Sequence, residues 1–193
     1  MSQARFAART VVGISQSPFT GAQYVQAFSG QWWEVEVQLV PMKRNQAEEW
    51  ITFFMKLNGR YGTFLLGDPT GMVPRGVATG TPFFASNSQT GNEIVLAGFT
   101  ANVQSIMRAG DYIQVGSLGG SRLYKVLENA FSTGSGTAQL LIWPNLRTMP
   151  ASGDLVKVNS CQGVFRLAHN EMPWALAQAQ VYGLTFAAIE VIA

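Results

Sequence analysis

Three residues in the later part of the chain could support acid–base chemistry: Asp154, His169 and Glu171. A histidine near carboxylates is a common arrangement for general acid–base catalysis. His169 is the only histidine, and it lies between a predicted strand and Pro173, in a short polar stretch. The chain also has no G-x-S-x-G nucleophile motif. We therefore expect His169 to lie in a solvated loop, and the residues predict a protein that is not an enzyme.

Cysteine usage argues against a metal centre and against an internal disulfide. Cys161 is the only cysteine, so it has no partner for a disulfide within the chain. A zinc site would have to combine Cys161 and His169 with carboxylates, which is an uncommon ligand set. No run of closely spaced oxygen ligands resembles a calcium loop. We expect no catalytic residue, no bound metal and no cofactor.

Tryptophan side chains could bind sugars, because their flat faces stack on the apolar faces of sugar rings. Trp143 and Trp174 are the candidates for such stacking. Packing in a core is the alternative, and it is the stronger expectation for Trp33 and Trp50. Trp32 lies on the opposite strand face from Trp33, so we expect Trp32 to lie at a subunit interface.

The elements that position these residues are mostly strands, because short alternations of apolar and polar residues lie between many glycines. Residues 31–40 form the clearest strand, with two distinct faces. The predicted core face carries Trp33, Val35, Val37 and Leu39. The other face is predicted to contact a neighbouring subunit or a lumen, and it carries Trp32, Glu34, Glu36 and Gln38.

One segment, residues 45–57, has the apolar spacing of an amphipathic helix. Asn45 is the predicted N-cap, with Glu48 three residues later as in a capping box. Gly59 is predicted to end the helix. The apolar stripe predicts that the helix packs on a sheet, and it contains Ala47, Trp50, Ile51, Phe54 and Leu57.

The remaining strands suggest two β-rich regions. Residues 67–80 are rich in Gly, Pro and Thr and predict a loop or a crossing between domains. We predict one domain from residues 1–72 and 165–193, with the helix, and an inserted β-rich domain from residues 73–164. The predicted strands after the helix are residues 60–66, 93–97, 111–115, 122–127, 138–143, 154–158 and 177–193.

Charge is scarce: 12% of residues are Asp, Glu, Lys or Arg, against about 25% in an average soluble domain. The hydrophobic fraction of 47% excludes a disordered chain. The net charge of +2 and the scattered basic residues argue against stable nucleic-acid binding. No apolar run is long enough for a membrane span, so we expect no membrane insertion. The low charge is consistent with a surface that other subunits cover. Arg60 and Arg75 are further candidates for such a subunit interface, because arginine is enriched at interfaces.

Several phrases of the sequence resemble distal tail proteins, the tail-tip proteins of bacteriophages with long, non-contractile tails. The helical phrase WITFF begins at Trp50, and LNGRYGTFLLGDP begins at Leu57. AGDYIQV begins at Ala109, RLYKV at Arg122, and IWPNLR at Ile142. The last phrase, YGLTFAAIE, precedes the C-terminus. These phrases are structural, so the resemblance implies no active site.

The resemblance implies a mainly β fold: a β-sandwich or barrel domain with one packed helix, plus an inserted second β-barrel-like domain. It implies a structural component of the virion tail tip, assembled in the cytoplasm of the host bacterium. Copies of the chain would form a ring, usually a hexamer, that contacts the tail tube protein, the tail hub and other tip or baseplate proteins. The alternative function is a carbohydrate-binding β module for host recognition, with a host surface glycan as partner.

Overall fold

Strands dominate this computed structural model, which describes residues 3–176 and 181–192. The predicted mainly β fold with one packed helix is confirmed. One short 3₁₀ turn covers Leu118–Gly120. The elements are β1 Gln3–Gln16, β2 Gln23–Gln38, β3 Met42–Lys43, α1 Arg44–Lys56, β4 Phe64–Leu66, β5 Gly80–Phe84, β6 Glu93–Phe99, β7 Tyr112–Val115, β8 Arg122–Val126, β9 Ala138–Trp143, β10 Val156–Lys157, β11 Gly163–Leu167, β12 Trp174–Leu176 and β13 Val181–Glu190.

The first sheet has the strand order β1-β2-β13-β11-β4, and β3 and β12 pair with the first half of β13. All of these pairings are antiparallel. The predicted core face is confirmed, since Trp33, Val35 and Val37 of β2 and Leu39, which follows it, are all buried. On β13 the buried face carries Leu184, Phe186 and Ala188. This one-sided burial explains the period of two in both segments.

Helix α1 covers the inner face of the first sheet, as its apolar stripe predicts. Ala47, Ile51 and Phe54 are buried against the sheet. The predicted capping box is wrong: the helix begins one residue earlier, and its N-cap is Lys43, which makes no capping side-chain bond. Asn45 lies inside the first turn, because β3 leads directly into the helix and fixes its start.

The second sheet has the order β10-β7-β8-β9-β6-β5, and all of its strands come from residues 80–157. An isolated bridge between Phe83 and Leu155 joins its two ends, so the sheet is nearly closed on itself. Its interior holds a second hydrophobic cluster that includes Ile94, Tyr124 and Leu140. Closure leaves this sheet without long free edges.

Several predicted strands differ in length from those observed. Residues 60–66 form a strand only at Phe64–Leu66, because the chain first makes a turn in which Asn58 and Gly59 have positive φ. Residues 154–158 form only the short β10. Residues 177–180 and 193 of the predicted last strand lie outside the described residues. Among the described helices, none is both long and apolar enough to cross a membrane.

Candidate assembly surface

Strands β1 and β2 form a long hairpin whose outer part extends beyond the first sheet. Residues 3–10 pair with residues 31–38 inside the sheet, and a register shift follows between Thr10 and Val12. Beyond that shift, Val12 to Gln16 pair only with Gln23 to Ala27. We call residues 11–30 the arm; at about 3.3 Å per residue, its strands project roughly 20 Å. A turn closed between Ser17 and Ala22 forms its tip.

The arm is exposed, apolar and uncharged. No charged residue occurs between Arg9 and Glu34. Phe19 at the tip is 95% exposed and Tyr24 is 70% exposed. Exposed surfaces normally carry charge, and contiguous exposed apolar surface marks an interaction site. The large apolar side chains of the arm are Val11, Val12, Ile14, Phe19, Tyr24, Val25 and Phe28.

Cross-strand pairing divides these side chains between two faces. Ile14 lies opposite Val25. Val12 lies opposite Ala27, two residues along the strand, so these four share a face. Tyr24 projects from the other face, as does Phe28, whose ring lies beside Gly13. Both faces of the arm are therefore free of charge, and neither is packed against the described part of the chain.

The predicted interface residues of β2 lie together on the outer face of the first sheet. Arg9 donates to Glu34 at 2.8 Å, and Arg5 pairs with Glu36 at 3.4 Å. The hydrogen bond from Arg9 lowers the pKa of Glu34, with burial acting in the opposite direction. The Trp32 indole also donates to Glu34, at 3.1 Å. Both carboxylates of this outer face are therefore paired with arginines of β1. Gln38, at the end of β2, is exposed.

Of the two predicted interface arginines, one lies near this face and the other does not. Arg60 and Trp32 line the same cleft, of about 410 Å³, beside Arg166. Arg75 instead belongs to the loop before β5, where its guanidinium bonds the carbonyl oxygen of Ala109 and lies 3.9 Å from Asp111. The sequence alone does not show which of the two arginines lies near the outer face, because the distance between them depends on the path of the chain between the two sheets.

The opposite edge of the first sheet carries an apolar groove of about 430 Å³ between α1 and β4. We call it the α1–β4 groove. Phe53 and Leu65 lie at its opening and are 39% and 40% exposed. Among the described residues β4 pairs only with β11, so its outer edge is open. The groove walls are formed by Trp50, Phe53, Phe64, Leu65, Leu66 and Phe186.

The second sheet holds the root of the arm. Asn145, just after β9, donates its backbone N–H to the Gln31 side chain at 2.8 Å. Arg147 donates to the Gln31 carbonyl oxygen and, at 2.9 Å, to Glu190 of β13. Both charged side chains are almost fully buried. The loop after β9 therefore binds β2 and β13 together where the arm leaves the sheet.

This ion pair is only partly satisfied. Glu190 also accepts the backbone N–H of Trp33 at 3.1 Å. Its second carboxylate oxygen and the Arg147 Nε have no hydrogen-bond partner among the described atoms. Burial raises the pKa of Glu190, and the charge of Arg147 opposes that shift. Removing one partner of a buried pair of this kind is costly, because the other charge is then left buried without compensation.

The two predicted sugar-stacking tryptophans lie on strands of different sheets. Trp143 ends β9 and packs edge to face against Trp33, with ring centroids 4.5 Å apart. Trp174, on β12 of the first sheet, is 46% exposed. The structure does not bring them together, and Trp143 is part of the packing between the two sheets.

The predicted acid–base residues are also separated. His169 and Glu171 line a shallow cleft on the first sheet beside Glu36. Asp154 lies in a turn of the second sheet, where its side chain accepts the backbone N–H of Ala151. No group of three or more His, Cys, Asp or Glu residues could hold a metal ion within residues 3–176 and 181–192.

A further polar cluster joins the segment between β4 and β5, residues 67–79, which we call the linker, to the second sheet. The Tyr112 hydroxyl donates to Asp68 at 3.2 Å and accepts from Lys125 at 3.0 Å. Burial raises the pKa of Tyr112, and the charge of Asp68 raises it further. A tyrosine with a raised pKa stays protonated at neutral pH. The cluster is therefore suited to holding the linker in place and not to acting as a base.

The arm is the feature that sequence reasoning missed. Its signals were present: an uncharged stretch between Arg9 and Glu34, β-branched residues in alternation, and the turn-forming residues around Pro18 and Gly21. The sequence of the arm does not show that it projects beyond the sheet, because the projection depends on where the distant strand β13 stops pairing with β2. No family model and no curated protein matches this chain.

Proposed function

We propose that this protein is a structural subunit of a bacteriophage tail tip, whose copies assemble into a ring between the tail tube and the tip complex. The observation that carries the proposal is the arm. When a partner covers an exposed, uncharged β-hairpin with several large apolar side chains, the burial of that apolar surface stabilises the complex. The sequence phrases resemble distal tail proteins, which form rings of identical copies. We therefore infer that the partner of the arm is another copy of this chain.

The surfaces of the first sheet support a ring in preference to a twofold dimer. The arm extends β1 and β2, and the α1–β4 groove lies at the other edge of the sheet. Two different surfaces on opposite edges fit a head-to-tail contact, which closes into a ring when the rotation between copies allows it. A twofold dimer would instead bring one surface against itself.

The proposed work of the protein is mechanical. The first sheet with α1 forms the ring wall, and the arm links neighbouring copies. The second sheet braces the arm through Asn145 and Arg147. The outer face of the first sheet carries Trp32, Glu34 and Glu36, and it is free to contact the tail tube or hub proteins.

The self-assembly part of the proposal is tested by native mass spectrometry and negative-stain electron microscopy of the purified protein. We expect ring-shaped oligomers of one size. The double variant Ile14→Lys/Val25→Glu places an ion pair at facing positions of the arm, so the hairpin keeps its pairing while its apolar face is lost. We expect this variant to be largely monomeric.

The matched control is Gln16→Lys/Gln23→Glu, which makes the same change at the next pair on the same face, where both side chains are already polar. We expect this control to assemble like the unaltered protein. A wild-type protein that remains monomeric at its highest soluble concentration would contradict the proposed ring.

The location is tested separately, by immunogold electron microscopy of the virus particles with antibodies against this chain. We expect gold particles at the end of the tail that lies away from the capsid. Labelling of the capsid, or of no part of the virion, would contradict the proposed place in the tail tip.

A further inference from the structure

The α1–β4 groove and the arm are two apolar features that the described part of the chain leaves without a partner. The groove lies between two elements that are fixed by the first core, since α1 packs on the sheet and β4 pairs with β11. Its exposed side chains, Phe53 and Leu65, are therefore presented on a rigid frame. The arm is held at its root by the loop after β9.

We propose that the α1–β4 groove of one copy receives the arm of the next copy. This inference rests on the proposed ring and names its contact. The occupant is a second copy of this chain, because the arm is the uncharged, projecting apolar element that the chain itself supplies.

The register of the first sheet places the root of the arm level with β4, and the arm itself projects beyond that level. Phe64 of β4 lies opposite Phe165, which lies opposite Glu190. Glu190 accepts the backbone N–H of Trp33, at the root of the arm. Two copies side by side at one level thus bring the root of one arm to the neighbouring β4. An offset between the copies of roughly 15 Å along the strands brings Ile14 and Val25 to the level of the groove.

The chemistry of the two surfaces is matched. The groove walls are apolar, and Glu49 is the charged residue at its rim. The arm carries no charge, so docking desolvates no ion on its side. A buried aromatic side chain covers on the order of 150–250 Å². The three aromatic and four aliphatic side chains of the arm are divided between its faces, so the groove covers one face and part of the roughly 800 Å² that each partner of a stable complex buries.

A head-to-tail contact makes a prediction that a symmetric contact does not. One preparation carries Ile14→Cys on the arm, and a second carries Leu65→Cys in the groove. The native Cys161 is buried and does not compete for the reagent. A short bismaleimide should join the two preparations after mixing and subunit exchange, while each preparation alone should give little dimer.

The matched control replaces Leu65→Cys with Leu155→Cys, which is also an exposed leucine but lies beside the second sheet. We expect at least about tenfold less cross-linked dimer from the control mixture, because only proximity in the assembled state raises the local thiol concentration. Equal yields from both mixtures would overturn the assignment of the groove. Efficient cross-linking of Ile14→Cys with itself would overturn it as well, in favour of arm-to-arm pairing.

The groove is tested independently by Phe53→Ser and Leu65→Lys, which alter side chains at its opening. We expect each variant to weaken assembly by about tenfold or more, as apolar anchors at interfaces do. Circular dichroism and the unfolding midpoint of the monomer check that the fold is retained. Normal assembly of both folded variants would overturn this inference while leaving the ring itself in place, whereas a monomeric wild-type protein would remove the ring and this contact together.

Discussion

The indole of Trp33, on β2 of the first sheet, meets the indole of Trp143, on β9 of the second sheet, edge to face with ring centroids 4.5 Å apart. The Trp33 Nε1 donates to the Leu123 carbonyl oxygen at 3.0 Å, so its polar atom is also bound by the second sheet. Trp33 is only 4% exposed. One side chain of the first sheet thus makes both an aromatic contact and a hydrogen bond with the second sheet, at the root of the arm.

Trp33→Phe should destabilise the protein by about 1–3 kcal/mol, because the buried Leu123 carbonyl loses its donor and the smaller ring leaves space beside Trp143. Urea unfolding followed by circular dichroism measures the change. Trp174→Phe is the control, since Trp174 is half-exposed and should change stability by less than about 0.5 kcal/mol. Equal effects of the two substitutions would show that Trp33 does not link the sheets.

The Arg147–Glu190 pair predicts a strongly non-additive mutant cycle. Arg147→Met should cost about 3–5 kcal/mol, because Glu190 is left buried without its counter-charge. The double variant Arg147→Met/Glu190→Leu should recover part of that loss, because neither charge then remains buried. Denaturant unfolding of the two single variants and the double variant gives the coupling energy. Simple additivity would mean that the two side chains do not interact in solution.

The same pair predicts the behaviour of the arm. In Arg147→Met, the Gln31 carbonyl loses a donor from the second sheet. We expect faster hydrogen exchange at backbone amides of residues 30–33, measured by mass spectrometry in a monomeric background. The exposed Arg5→Met substitution serves as the control, because Arg5 pairs with Glu36 within the sheet and away from the root. Unchanged exchange in Arg147→Met would show that the second sheet does not brace the arm.

Cys161 should be unreactive in the folded protein. Burial raises the pKa of its thiol to about 12, so the nucleophilic thiolate is scarce near neutral pH. Its sulfur also lies in contact with the carbonyl oxygens of Tyr112 and Lys157. A maleimide reagent should label Cys161 only after unfolding, whereas an introduced Ser135→Cys at an exposed turn should react at once. Rapid labelling of folded Cys161 would mean that this region opens frequently.

Asp68 should contribute to stability above its unfolded pKa and lose that contribution in acid. Burial acts to raise the pKa of Asp68, but hydrogen bonds from Thr70 and Tyr112 outweigh it and hold the pKa below its usual range. Because the folded pKa is the lower one, the contribution is present above the unfolded value and disappears as pH falls through the folded pKa. The unfolding curves of wild type and Asp68→Asn should converge in acid, and an unchanged difference down to low pH would contradict this linkage.

The local parts of the fold were predictable from the sequence because each depends on burial of one face. The alternation from Trp33 to Leu39 can be satisfied only by a strand with one inward face. The stripe of α1 likewise required a covering sheet, and both expectations match the structure. The helix start was not predictable from its capping signal, since the preceding β3 pairs with β13 and fixes the chain there.

The sequence by itself determined that this is a β-rich chain with one amphipathic helix and unusually little charge, because periodicity and composition are local properties. Only the tertiary structure decided that residues 11–30 project as an arm, that Trp143 packs against Trp33, and that Arg147 binds the root of the arm. These features depend on contacts between distant segments, whose pairing no local pattern specifies. The longest uncharged stretch of the sequence, between Arg9 and Glu34, includes the hairpin that we propose neighbouring copies cover.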